Sequence, residues 1–230
     1  MALALLAGAT VQSLVGLGLG LVAAPVITLV EPELMPELML WLACTYPIVT
    51  LAAEREDIHW AGLGWSLPTR LVGTALGVAA VASFSTRVLG LAVAVMVLVA
   101  VLVTWLAVRP PITRGSLMTA GLVSGFSGTA TSIGGPPMAI LYQEQPPRQI
   151  RTTLAVYFMV GAALSLGGLA VAGQLELRQV LLAACLAPVL PVGAVLGRAL
   201  RHRLPPDRVR AVVLLLCATS AVVLLVRSLV

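Results

Sequence analysis

Lysine is absent from this chain of 230 residues, and charge of either sign is scarce: 14 basic side chains, all arginine, and 9 acidic ones amount to 10% of the sequence. Soluble domains carry about a quarter charged residues. Aromatic residues are only 4%, histidine occurs twice and cysteine three times. Cys44, Cys185 and Cys217 stand singly inside apolar stretches, which excludes a disulfide-stapled fold and offers no metal or redox spacing. His59 and His202 sit on connectors, far from other metal ligands. No Walker loop, HExxH, Gly-x-Ser-x-Gly or pair of intramembrane carboxylates is present. ATP hydrolysis is thereby excluded, an enzyme is disfavoured, and nothing in the sequence asks for a cofactor.

What the chain has instead is apolar length. Hydrophobic residues make up 60% and the mean hydropathy is +1.05, the composition of a polytopic membrane protein. A helix needs about 20 residues to cross the hydrocarbon, so about seven to nine spans fit, and one anchor carrying a soluble domain does not. Eight apolar runs are separable, at 3–30, 37–53, 61–82, 88–108, 116–142, 151–172, 178–199 and 207–229. No connector between them can house a soluble domain. The expected fold is all-α, with eight transmembrane helices in one membrane unit. The first sixteen residues lack a basic segment and a cleavage site, and read as a retained span. The net charge of +5 would suggest nucleic acid in a soluble chain; here the arginines flank apolar runs, so topology and contact with lipid headgroups explain them and nucleic-acid binding does not.

If all eight runs cross, Arg55, Arg109, Arg114, Arg178 and Arg227 face one side, against Arg87, Arg148, Arg151, Arg198, Arg201, Arg203, Arg208 and Arg210 on the other. The positive-inside bias then places both termini outside the cytoplasm. The halves resemble each other: PTRLVGTALG (68–77) aligns with PVLPVGAVLG (188–197) at an offset of 120 residues, and Gly16 and Pro25 match Gly128 and Pro137 at 112. A four-helix repeat over 1–108, a connector at 109–115 and a second repeat over 116–230 follow. Four spans per half would give both halves the same orientation.

Runs one and five are long and interrupted. Gly16, Gly18 and Gly20 precede Pro25 in one; Gly125, Gly128, Gly134 and Gly135 precede Pro136 and Pro137 in the other. Glycine-rich backbone followed by proline favours a broken span, and irregular backbone at membrane depth survives only where protein or water satisfies it. Half-helices starting near Pro25 or Pro136 would aim backbone N–H groups and positive dipole ends at an anion. Gln12, Ser13, Ser124, Ser127, Thr129, Thr131 and Ser132 are nearby donors. The glycine pairs 73/77 and 193/197 read instead as helix-packing faces.

Arg70, nine residues into run three, is either the counter-charge for an anionic substrate or a side chain that snorkels to the interface. Arg151 opens run six and could gate or attract an anion, or only orient the span. Glu31, Glu33 and Glu37 read as a solvated turn, with a cation or proton entrance as the alternative. No carboxylate lies deep in a run, so the sequence shows no proton-coupling group. Tyr142, Trp41, Trp60, Trp65 and Trp105 lie near run ends, where interfacial aromatics sit.

At these residues the chain resembles a known family. TVQSLVGLGLGLVAAPVITL (10–29) with IHW (58–60), and GLVSGFSGTATSIGGPPMAILY (121–142) with IRTTLAVYF (150–158), are similar to the sulfite exporter TauE/SafE family of the toluene sulfonate uptake permease superfamily. The resemblance covers nearly the whole chain. It implies a multi-pass transporter of the bacterial inner membrane that moves sulfite, an organosulfonate or a related sulfur-containing anion. The first-half motif departs from three adjacent glycines, since Gly16, Gly18 and Gly20 alternate. The candidate substrate-binding set is Gln12, Gly16, Gly18, Gly20, Pro25, Arg70, Ser124, Gly128, Thr131, Ser132, Gly134, Gly135, Pro136, Pro137 and Arg151. Membrane lipids are the expected surroundings, and a homodimer is compatible with the sequence. An anion channel or a non-transporting assembly subunit are the rival readings.

Overall fold

The computed structural model describes residues 1–16, 18–106, 109–200, 215 and 217–226. Arg201, Arg203, Arg208, Arg210, Arg227 and His202 lie outside the described residues. All described regular structure is helical: α1 (Ala2–Val15), α2 (Leu19–Val30), a 3-10 turn (Pro32–Leu34), α3 (Glu37–Ala53), α4 (Trp60–Ser83), α5 (Thr86–Trp105), α6 (Arg114–Thr131), α7 (Gly135–Tyr142), α8 (Pro147–Val171), α9 (Leu177–Leu186), α10 (Val189–Leu200) and α11 (Cys217–Val226). Three described stretches, Thr86–Val103, Pro147–Val171 and Leu177–Leu200, are long and apolar enough to cross a bilayer. Large apolar side chains stand exposed along α4, α5 and α10, among them Leu71, Leu76, Val99, Leu102 and Val195. Apolar exposure on this scale suits contact with lipid tails rather than water.

Runs one and five each turn back on themselves. Gly16 closes α1 in the left-handed conformation (φ 90°), and Gly18 follows at φ 154°, angles that only glycine reaches without strain. The chain then reverses: Gly8 faces Leu19 and Gly18 faces Val11, so α1 and α2 form an antiparallel hairpin. α6 opens on a capping box, with Thr113 Oγ1 accepting from the Ser116 N–H at 3.1 Å. It ends at left-handed Ser132 (φ 60°), and α7 folds back so that Gly134 lies against Ser124 and Gly128.

The hairpins enter from opposite ends of the bundle. Arg148 pairs with Glu56, Arg109 with Glu144 (2.8 Å) and Arg151 with Glu54 (2.7 Å), which gathers the 54–59, 109–113 and 143–147 connectors at one end. Arg178 pairs with Glu31 (3.2 Å), and Glu33, Phe84 and Glu176 share a cavity, which gathers the other connectors at the opposite end. Hairpin α6–α7 starts and finishes at the first end, whereas α2 runs out to the second. Runs one and five are thus each split into two helices, with α2 ending at the second end and α7 at the first. Hydropathy registers run length but not a reversal inside a run. With each hairpin returning to its own end, the first half keeps three end-to-end helices, α3, α4 and α5. In the second half α8 and α9–α10 run end to end, and α11 carries Leu224 to the second end, beside Thr28 and Arg87. α3 thus runs from the second end to the first, and α8 from the first to the second.

The matched glycines lie at helix contacts between 1–108 and 116–230. On α4, Gly73 and Gly77 press on the Leu122 and Phe126 carbonyls of α6, while Gly121 and Gly125 press back on Ser66 and Arg70. On α10, Gly193 and Gly197 sit against Ala9 and Ser13 of α1. Each half thus lays its repeated glycine face along the first hairpin helix of the other half.

The arginine tally also changes. Of the described arginines, Arg55, Arg109, Arg114, Arg148, Arg151 and Arg198 cluster at one end, Arg87 and Arg178 at the other. These are the arginine-rich and acidic ends below. Tyr142 departs from its expected interfacial place: it is fully buried, its hydroxyl 2.9 Å from His59 Nδ1.

Candidate functional site where the hairpin tips meet

The tips of the two hairpins touch at the centre of the bundle. A Cβ on Gly20 would lie 2.7 Å from the Ser132 carbonyl oxygen, so only glycine permits this approach. Around the junction lies a cavity of about 50 Å³, several times what one buried water requires. Gln12, Gly18, Leu19 and Gly20 line it from the first hairpin, and Gly128 with the Ser132–Pro136 turn from the second. α3, α4 and α8 close it with Leu40, Ala43, Arg70, Phe158 and Ala162.

Arg70 does not snorkel. It is 3% exposed, with its guanidinium stacked over the Tyr157 ring (4.5 Å to the centroid) and seated on Gly161, where any Cβ would collide with it. One hydrogen bond holds it: Nη1 donates to Ser124 Oγ at 2.8 Å, and Ser124 in turn donates to the Gly134 carbonyl. Nε has no acceptor, and no carboxylate lies within ion-pair distance among the described residues. A guanidinium carries five N–H donors and cannot discard its proton. A buried cation with donors to spare and no counter-charge is an arrangement that an anion completes.

The backbone donors are fewer than the sequence suggested. α2 begins at Leu19, and Pro25 lies buried inside it, so Pro25 does not open the half-helix. The Leu19 N–H is already taken by Gln12 Oε1 at 2.9 Å. In α7, Pro136 and Pro137 carry no N–H, which leaves the Gly135 N–H as the donor at its start. Arg70 is the cation that lines the central cavity beside these backbone groups.

The other expected residues take supporting places. Thr131 donates to the Ser127 carbonyl (2.7 Å) and accepts from the Ile133 N–H, holding the turn from behind. Ser132 donates to the Pro36 carbonyl at 2.8 Å, tying the second tip to the start of α3. Gly16 and Arg151 lie apart from the central cavity and line a smaller one of about 20 Å³, with Glu54, Tyr46 and Arg198. Gln12 lines both cavities. Arg151 reaches Glu54 Oε2 through Nε (3.0 Å) and Nη2 (2.7 Å), closing the arginine-rich side. Sequence reading missed Tyr157 and Gly161, the floor and seat of Arg70; an isolated glycine in an apolar run gives no signal.

The sulfite exporter TauE/SafE family model matches residues 1–224. The chain belongs to the TauE/SafE sulfite exporter family. Neither a curated protein nor a solved structure gives a significant match. Family membership makes the chain a membrane transporter of the sulfite-exporter type, and the central cavity is where its geometry can hold a small oxyanion.

Proposed function

We propose that this TauE/SafE chain exports a small sulfur oxyanion, sulfite or an organosulfonate, across the bacterial inner membrane by exposing the Arg70 cavity to each side in turn. The observation that carries the reading is the buried, incompletely bonded guanidinium of Arg70 at the junction of two inverted hairpins. On this reading the hairpins are re-entrant, and the halves, 1–108 and 116–230, are inverted repeats about an axis in the membrane plane. The arginine-rich end faces the cytoplasm by the positive-inside bias, which leaves the N-terminus outside.

In this mechanism the anion enters from the cytoplasmic side past Arg198 and the Arg151–Glu54 pair. It reaches Arg70 and the Gly135 N–H, with Ser124 holding the guanidinium in aim. Rocking of the inverted halves about the tips then opens the acidic side. The membrane potential favours outward movement of negative charge by about 2.3 kcal/mol per charge per 100 mV.

The test is thermal stability of the detergent-purified chain with sulfite, thiosulfate, methanesulfonate, sulfate and chloride at matched ionic strength, followed by counterflow in proteoliposomes. A ligand at a hundred times its dissociation constant stabilises by about 2.7 kcal/mol. A selective shift with one sulfur oxyanion, lost in Arg70→Gln, is expected. Sulfite flux without counterflow would assign a channel, and no response to any anion would sink the transport reading.

A further inference from the structure

The acidic end holds a group that the anion pathway does not use. Glu37 opens α3 and is 5% exposed, unlike its neighbours Glu31 and Glu33, which fit the solvated turn expected from sequence. It lines a cavity of about 290 Å³ with Glu33, Glu176, Arg178 and Gln179. Arg178, the one cation among the described residues lining this cavity, is held by Glu31 at 3.2 Å. α4 and α5 contribute only Val81, Phe84, Thr86 and Leu89 here, and Arg87 lines the neighbouring cavity beside Thr28. Among the described residues, Glu37 therefore faces like charge and no available cation.

Gln179 supplies an independent sign. It is 4% exposed, its Nε2 donates to Glu176, and its Oε1 has no donor. Carboxylates accept and cannot fill that vacancy; a carboxylic acid can. Burial without a counter-charge and a like-charged neighbour both favour the neutral acid over the carboxylate. The position also connects to the centre, because Pro36, directly before Glu37, accepts the hydrogen bond from Ser132 at the tip of the second hairpin.

We infer that Glu37 is a proton-binding site that gates the acidic end and links proton uptake to movement of the anion. This rests on the transport reading above and deepens it. The proton binds one Glu37 carboxylate oxygen; neutral, Glu37 lets α3 and the Glu176 segment stay packed and holds the Ser132 tip closed. On release of the proton, repulsion between Glu37 and Glu176 loosens the same contact and opens the anion site toward that end.

Difference infrared spectra of the purified full chain, taken as pH is stepped, read protonated carboxyl groups directly. The expected result is a carboxyl band whose midpoint moves about tenfold in proton concentration on adding sulfite, a change worth about 1.4 kcal/mol. That band should be missing in Glu37→Gln and return with another midpoint in Glu37→Asp, which covers a Gln variant that fails to fold. A band that survives Glu37→Gln, or one that ignores sulfite in the unmutated chain, overturns the inference. Sulfite counterflow separates the two levels: counterflow with a sulfite-blind band sinks the coupling alone, and a sulfite-sensitive Glu37 band without counterflow sinks the transport reading and, with it, the coupling to movement, leaving a proton site linked to sulfite binding only.

Discussion

The two ends of the bundle carry opposite chemistry. At the arginine-rich end, Arg151 in the first turn of α8 packs beside Gly16 at the first hairpin tip and bonds Glu54 at the end of α3. At the acidic end, Glu37 in the first turn of α3 lies one residue from Pro36, which holds the second tip, and shares its cavity with Glu176 beyond α8. One end is thus latched by opposite charges and the other brings like charges together. The difference teaches that the same backbone latch can be set permanently by an ion pair or conditionally by a proton.

The comparison breaks most completely at its shared centre. Arg70→Gln should lower sulfite affinity and flux by about ten- to a hundredfold, as expected for losing a charged donor worth about 1.5–3 kcal/mol. Gly161→Ala should act in the same direction, because the new methyl occupies the seat of the guanidinium. Equal sulfite-induced thermal shifts in Gly161→Ala and the unmutated chain would remove the seat from the mechanism. Next in size, Ser132→Ala removes the bond to Pro36 and should cost about 1 kcal/mol of stability. The loss should be read at the acidic end alone, by faster hydrogen exchange at the start of α3 and not at the start of α8.

Glu54→Gln sharpens the contrast from the other side. The pair is partly exposed, at 11% and 22% for its two side chains, so its loss should cost no more than about 1 kcal/mol. Exchange rates measured by counterflow should change while the Glu37 band does not. Glu54→Arg combined with Arg151→Glu should return the rate toward its starting value, and failure to recover would mean that charge pairing is not what latches this end. The smallest effect is expected for Arg198→Gln at the mouth: transport at high salt unchanged, with a weaker dependence of the rate on ionic strength. A large loss at high salt would move Arg198 from attraction into binding.

Much of the site was legible because its signals are local. Gly16, Gly18 and Gly20, and the Gly134–Pro137 element, mark breaks wherever they are placed, since left-handed backbone and missing N–H groups are properties of the residues themselves. Arg70 stood out because a charge inside an apolar run is costly. Which N–H groups stay open at the helix starts was not legible: nothing in the sequence says that Gln12 would fold across to cap Leu19, or that α2 starts six residues before Pro25. Glu37 was unreadable for a similar reason. It shares its connector with Glu31 and Glu33, and only the arrival of α9 with Gln179 separates a buried acid from exposed ones.

Composition determined a lipid-facing protein, because 60% apolar residues exceed what a soluble domain carries, and apolar runs of about 20 residues made it helical. The sequence also determined where the two runs break. The tertiary structure decided the direction of each broken run. Hydropathy has no sign along the chain, and a crossing and a hairpin of the same residues read alike until ion pairs such as Arg109–Glu144 and Arg148–Glu56 bring their ends together. That one decision gathers most of the described arginines at one end and brings Gly20 to Ser132 over Arg70.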